Sequence, residues 1–189
     1  MGEGRAQNSR TGLAHICWFC VPESVRIALT YAALNGLGVT AAHIRNAYLQ
    51  ASSEKYYIIC GVEFGLKNVG KIALIKRALY GGKSAGRDFW EHLRSCMQFL
   101  NFQSCKADPN VWMWCAVKSD GGEYWEYVLL YCDDVLVISE HGEATLRNEI
   151  GKYFELKEES IGLPSIYLGG KMSKVTLNNG VEAWSFSSS

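Results

Sequence analysis

Two almost uninterrupted apolar runs dominate this chain, and between them stand two adjacent carboxylates. Trp125, Tyr127, Val128, Leu129, Leu130 and Tyr131 form one run, Val135, Leu136, Val137 and Ile138 the other, and Asp133-Asp134 separate them. Runs this short are the length of strands rather than helices. Only two or three residues separate the runs, so they predict an antiparallel hairpin with Cys132-Asp133-Asp134 at an exposed tip. Aspartates favour turns, so a solvated tip needs no function. Hard carboxylate oxygens on a rigid ribbon also suit Mg²⁺ and phosphoryl transfer, and a paired metal site needs a further acid from another strand.

The remaining patterning supplies helices and hairpins. Residues 1–20 open with a polar, turn-forming stretch and read as a loose leader. Pro22 at a first helical position opens a helix with Val25, Ala28, Leu29, Ala32 and Ala33 on one face, closed by Gly36 and Gly38. Strands are expected at 39–44, 56–60, 71–75, 112–117, 124–131, 135–139, 166–171 and 181–186. Asn178-Asn179-Gly180 is the turn between the last two. Amphipathic helices are expected at 86–100 (Phe89, Leu93, Cys96, Met97, Leu100) and 142–154 (Ala144, Leu146, Ile150, Phe154). Helices interleaved with antiparallel hairpins define an α+β class.

Charge and cysteine usage narrow the context. Nineteen basic residues balance nineteen acidic ones, yet residues 1–110 carry 13 basic and 7 acidic side chains and the remainder 6 and 12. Residues 67–94 hold seven cations (Lys67, Lys71, Lys76, Arg77, Lys83, Arg87, Arg94) against Asp88 and Glu91, a track suited to phosphates. Tyr80 and Phe89 beside it offer faces for base stacking, although burial is the commoner fate of such a Phe. Seven cysteines form an odd set without framework spacing, mostly inside apolar runs, as core thiols of a reducing compartment do. Cys17-x-x-Cys20 has no second pair or nearby His to complete a zinc site. No apolar stretch reaches the ~18 residues of a membrane span, and the first residues lack a secretory layout, so an intracellular, membrane-free location is expected.

Six blocks, in order, resemble one family. Tyr131-Cys132-Asp133-Asp134 is similar to the Tyr-x-Asp-Asp hairpin of reverse transcriptases. Residues 78–87, Ala-Leu-Tyr-Gly-Gly-Lys-Ser-Ala-Gly-Arg, resemble the Ser-Leu-Tyr-Gly-Leu-Lys-Gln-Ala-Pro-Arg block of copia-type retrotransposon polymerases. Residues 44–49, Ala107-Asp108-Pro109, residues 153–157 and residues 166–170 are similar to further blocks of that family. The resemblance spans about residues 22–188 and does not cover the leader.

It implies a polymerase palm whose antiparallel sheet is backed by helices, with partial fingers and the start of a thumb, over 21–189. The chain would then be a fragment of a polyprotein involved in DNA integration. The implied activity is RNA-directed DNA polymerase chemistry: two-metal nucleotidyl transfer with Mg²⁺, Mn²⁺ being possible, on an RNA or DNA template with primer and deoxynucleotides. Its implied location is cytoplasmic or in the element's virus-like particle. Asp133 and Asp134 match the metal-holding carboxylates. Tyr48 matches the aromatic under the incoming sugar that rejects a 2′-hydroxyl. Lys83, Ser84 and Arg87 lie in the block facing nucleotide and template.

Two departures matter. Ser84 stands where the family has Gln, and Gly86 where it has Pro. His43 stands where the family has its first catalytic Asp, and imidazole is a poor Mg²⁺ ligand that removes one negative charge. Two readings therefore stay open: a polymerase domain with impaired activity, or a catalytically dead palm that at most binds nucleic acid.

Overall fold

The computed structural model describes residues 20–82 and 84–188. The leader up to Phe19 and Lys83 lie outside the described residues. Helix α1 (Pro22–Asn35) starts at its proline and stops where Gly36 adopts φ +64°, a left-handed conformation that costs glycine nothing. Strand β1 (Gly38–His43) follows, then the single turn α2 (Ala47–Gln50) and a hairpin of β2 (Ser52–Ile59) and β3 (Ile72–Arg77). Helix α3 (Ala85–Phe99) leads to β4 (Gln103–Ser104), β5 (Val111–Val117), β6 (Glu123–Tyr131) and β7 (Asp134–Ser139). After a broken helical segment beginning with α4 (Gly142–Ala144), the strands β8 (Ile166–Tyr167), β9 (Gly170–Thr176) and β10 (Glu182–Ser188) close the chain.

The central sheet is antiparallel with strand order β1-β7-β6-β5-β4. β7 lies between β1 and β6, and its side chains alternate between two cores. Val135 and Val137 join Val128 and Leu130 under α3 (Phe89, Leu93, Met97) and under Leu146, Ile150 and Phe154. Leu136 and Ile138 join Leu129 and Val39 under α1 (Val25, Leu29, Ala32), with Tyr167 and Met172 at the margin. Cover on both faces is why the two runs carry no polar alternation. β8–β10 form a separate three-stranded sheet, and β2–β3 a two-stranded one.

Two expected elements differ. The stretch 142–154 is not one α-helix: after α4 it widens into a π-helical turn, Thr145–Glu149, and tightens into a 3₁₀ turn, Ile150–Lys152. The wide turn lets Thr145 Oγ1 donate to the buried Glu126 carboxylate while Leu146, Ile150 and Phe154 still reach the core. Such turns answer local packing demands that a 3.6-residue period does not encode. Residues 166–171 do not form one strand either. Leu168 and Gly169 take φ +51° and +73° and turn the chain between paired Tyr167 and Gly170. This two-residue hairpin is of the kind that needs positive φ at both central positions.

Candidate functional site

The hairpin tip, the end of β1 and the start of α2 converge. β6 and β7 pair through Tyr131↔Asp134, so Cys132 and Asp133 alone make the turn, with Cys132 at φ +53°. A non-glycine residue there carries strain of about 1–2 kcal/mol, held by its surroundings. β1 pairs with β7 on the other side, with His43 opposite Asp134. The Ile44 N–H donates to the Asp133 carbonyl at 2.7 Å, which extends that pairing around the turn.

His43 is fastened from both sides of its backbone. Its N–H donates to Ser160 Oγ at 2.8 Å, and its carbonyl accepts from the Lys157 N–H at 2.9 Å. The ring therefore points along the sheet edge at the two acids. Nδ1 lies 2.9 Å from Asp134 Oδ1, and Nε2 lies 3.3 Å from Asp133 Oδ2. All three side chains are half-buried rather than exposed, because residues 155–160 and α2 wall the tip.

Tyr48 forms the adjacent wall. Its hydroxyl sits 3.6 Å from Cys132 Sγ, and its ring packs on Tyr80 (4.7 Å between centroids) and edge-on to Phe89 (5.8 Å). The thiol contact first, then burial and the nearby Asp133 charge, push the Tyr48 phenol up to about 12. Burial raises the Cys132 thiol, with Asp133 adding in the same direction against the Tyr48 hydrogen bond. Tyr48, Gly86, Phe89, Leu130 and Cys132 line a cavity of about 130 Å³ between α3 and the tip.

The other expected residues lie around it. Ser84, at the α3 N-terminus, is buried and donates to Asp88 Oδ2 at 2.8 Å. Arg87 is exposed and pairs with Asp88 (3.4 Å) and Glu91 (4.0 Å), which neutralises part of the expected cationic track. Lys67, Lys71, Lys76, Arg77 and Arg94 are exposed, and the Arg94 guanidinium lies 5.3 Å over the Trp90 ring.

Sequence reading missed two residues that hold this site and the role of a third, Asp108, behind it. Ser160 and Lys157 anchor His43 from more than a hundred positions away; Lys157 closes the 153–157 block without a role being visible in it, and no local pattern marks Ser160. Asp108 was visible only within a motif; its role is to bind the start of α1, as Oδ2 accepts from the Val21 N–H (3.1 Å) and Ser24 Oγ (2.7 Å).

The donor set tests what ion the cluster suits. His43, Asp133 and Asp134 bring one ligand atom each within 4.8 Å of one another. Reverse transcriptases normally use divalent metals, and a pair of Mg²⁺ ions asks for several carboxylates. Here two acids are present, and each already has an oxygen within 3.3 Å of the His43 imidazole. The residues do not fit a Mg²⁺ pair.

An antiparallel sheet with a carboxylate pair on its central hairpin, backed by helices, defines a polymerase-like α+β domain. A profile of that kind, described as reverse transcriptase (RNA-dependent DNA polymerase), matches residues 19–187. The chain belongs to the reverse transcriptase family. A search of curated proteins finds no match. Among the described residues no helix is long and apolar enough to cross a membrane.

Proposed function

We propose that residues 21–189 are the palm and partial fingers of a copia-type reverse transcriptase, whose nucleotidyl-transfer activity is low or absent because of His43. On this reading the five-stranded sheet is the palm, the β2–β3 hairpin belongs to the fingers, and the segments after β7 begin the thumb. RNA or DNA template, primer and deoxynucleotides are its ligands. Tyr48 would lie beneath the sugar, with Lys83, Ser84 and Arg87 toward nucleotide and template.

The observation that carries the proposal is the register of β1 against β7. It puts His43, the residue aligned with a catalytic acid, opposite Asp134 and 3.3 Å from Asp133. An acid there would complete a carboxylate triad; the imidazole instead supplies no negative charge. At about 4 Å and an effective dielectric of ~20, each lost unit-charge attraction is worth ~4 kcal/mol before desolvation. About 1.4 kcal/mol is tenfold in rate, so even partial loss costs several powers of ten.

The test compares the chain with His43→Asp on primer–template, deoxynucleotides and Mg²⁺. Extension by His43→Asp at least 100-fold faster than by the chain itself is expected. Equal extension by both proteins would refute the assignment of His43.

A nucleic-acid-binding palm without catalysis is the second reading, favoured by the same His43 and by the exposed cations of β3 and its approach. About three phosphate contacts there predict affinity falling roughly 40-fold between 50 and 200 mM salt. Anisotropy on a labelled duplex measures it, and salt-independent binding would count against the track.

A further inference from the structure

We propose that the outer face of the β2–β3 ribbon is a self-association surface, on which a second copy of this chain packs across a two-fold axis with the two ribbons antiparallel. The inference stands apart from the catalytic reading and needs neither nucleotide nor metal.

The register of the ribbon sorts its side chains onto two faces. Tyr57 pairs with Leu74 and Ile59 with Ile72, and residues directly opposite or two apart along a strand share a face. Tyr56, Ile58 and Ile75 step to the other face, where they line a cavity with Ala85 of α3. The inner face is thus turned to the body of the domain. The outer face carries four large apolar side chains, and among the described residues nothing covers them. Tyr57, Ile59 and Ile72 are 63%, 75% and 73% exposed, and Leu74 is exposed as well. The connection between the strands adds Val62, Phe64, Leu66 and Val69, all exposed, Leu66 by 85%.

Area separates a stray exposed residue from a docking surface. These eight residues expose roughly 900 Å², above the ~300–600 Å² of the largest patch on a typical monomer and close to the ~800 Å² that each partner buries in a standard interface. A lone two-stranded hairpin is also marginal in water and is stabilised by further strands or by a packed face. A second ribbon laid face to face supplies that cover, since two sheets stack about 10 Å apart with their side chains interdigitated.

Charge decides between a second copy and nucleic acid. Aliphatic side chains offer phosphates nothing, and Tyr57 is the one aromatic among the four on the ribbon. Charged groups stand instead at opposite ends of the face. Glu63 lies in the connection beyond the tip, and Lys76 lies two residues past Leu74 toward the base, on the same face as Leu74. Neither forms an ion pair among the described residues. A two-fold axis through the centre of the ribbon brings the tip of each copy against the base of the other, so each Glu63 meets Lys76 of the second copy. Such a contact is isologous and closes at two chains.

The full chain, free of nucleic acid, is followed by sedimentation velocity and light scattering over a hundredfold range of concentration. Its mass is expected to rise from 21.1 kDa toward twice that value and to stop there. Ile59→Glu with Ile72→Glu puts two acids at the centre of the face. Both positions are exposed, so circular dichroism should stay unchanged while the dissociation constant rises at least 100-fold. Glu63→Lys should weaken association several-fold, and Glu63→Lys with Lys76→Glu should restore it.

The mass of a single chain at every concentration overturns the proposal. So does association that Ile59→Glu with Ile72→Glu leaves untouched, because the contact would then lie elsewhere. Association that appears only on addition of duplex assigns the face to nucleic acid and overturns it too, and a charge exchange that restores nothing overturns the antiparallel arrangement. Primer extension enters none of these measurements, so this surface and the polymerase reading can fail separately.

Discussion

Removing the Asp108 carboxylate should loosen the helix that underlies the catalytic-type hairpin. Asp108 is buried, and its two oxygens accept three bonds: from the Val21 N–H, from Ser24 Oγ, and from the Asn110 N–H at 3.0 Å. The N-cap of α1 is Val21, which has no side-chain oxygen to offer, so a residue 84 positions from Ser24 does the capping. Its negative charge also faces the positive end of the helix dipole. Hydrogen bonds of this kind contribute about 1 kcal/mol each, and exposed Val21 regains water when its partner goes. Asp108→Ala should therefore cost about 2–3 kcal/mol. At about 2–4 °C per kcal/mol for a chain of this size, Tm should fall by about 5–10 °C. Asp108→Asn, with one acceptor oxygen for three donors, should lose about half as much.

The pH dependence gives an independent check on the same carboxylate. Burial alone would raise the pKa of Asp108, but the bonds from Ser24, Val21 and Asn110 outweigh it and hold the group below its ordinary value. A depressed folded pKa contributes stability that is complete above the unfolded value, about 3.9, and is lost as pH falls through the folded one. The gap between wild type and Asp108→Ala should be full at pH 7, begin to narrow near pH 4 and close only as pH falls through the depressed folded pKa. Thermal melts followed by circular dichroism at pH 7 and downward through the acid range measure both effects. A Tm within about 1 °C of wild type at pH 7, or a gap that persists in acid, would refute the capping argument.

Glu126 carries the opposite sign. Burial raises its pKa, although Ser139 and Thr145 donate to it, so its contribution weakens stability as pH rises from the unfolded value near 4.3 toward the folded one. Glu126→Gln should be neutral or stabilising at pH 7 and lose that advantage near pH 4, as urea titrations at the two pH values would show. Phe154, fully buried and edge-on to Phe89 (6.0 Å) and His92 (5.0 Å), should cost about 3–5 kcal/mol on replacement by Ala; an unchanged urea midpoint would contradict its place in the core. In a His43→Asp background, Tyr48→Val should relax discrimination between deoxynucleotides and ribonucleotides; selectivity identical to that of the Tyr48 parent would remove Tyr48 from the sugar position.

Local signals were enough for much of the architecture. The apolar runs around Asp133-Asp134 announce a hairpin because strand-length apolar segments flank a short turn; that both its faces are covered was decided by the two cores packed on it. Pro22 and Gly36 mark the ends of α1 through their fixed and permissive φ, and the stripe from Phe89 to Met97 marks α3 by its period. The likeness of six ordered blocks points to His43 as a departure from an acid. What no local pattern carries is pairing across distance. Whether His43 meets Asp133 and Asp134 depends on β1 joining β7 in one register, on Ser160 and Lys157 gripping its backbone, and on Asp108 tying down a helix far behind it in sequence. The turn at Leu168-Gly169 and the widened turn at Thr145–Glu149, where Thr145 Oγ1 donates to the buried Glu126, likewise follow no local period. Sequence determined most of the strands, helices and turns, because φ preference and burial period act over a few residues. Tertiary structure alone decided which side chains share the site, because hydrogen-bond register and core packing join residues that the chain keeps as many as 117 positions apart.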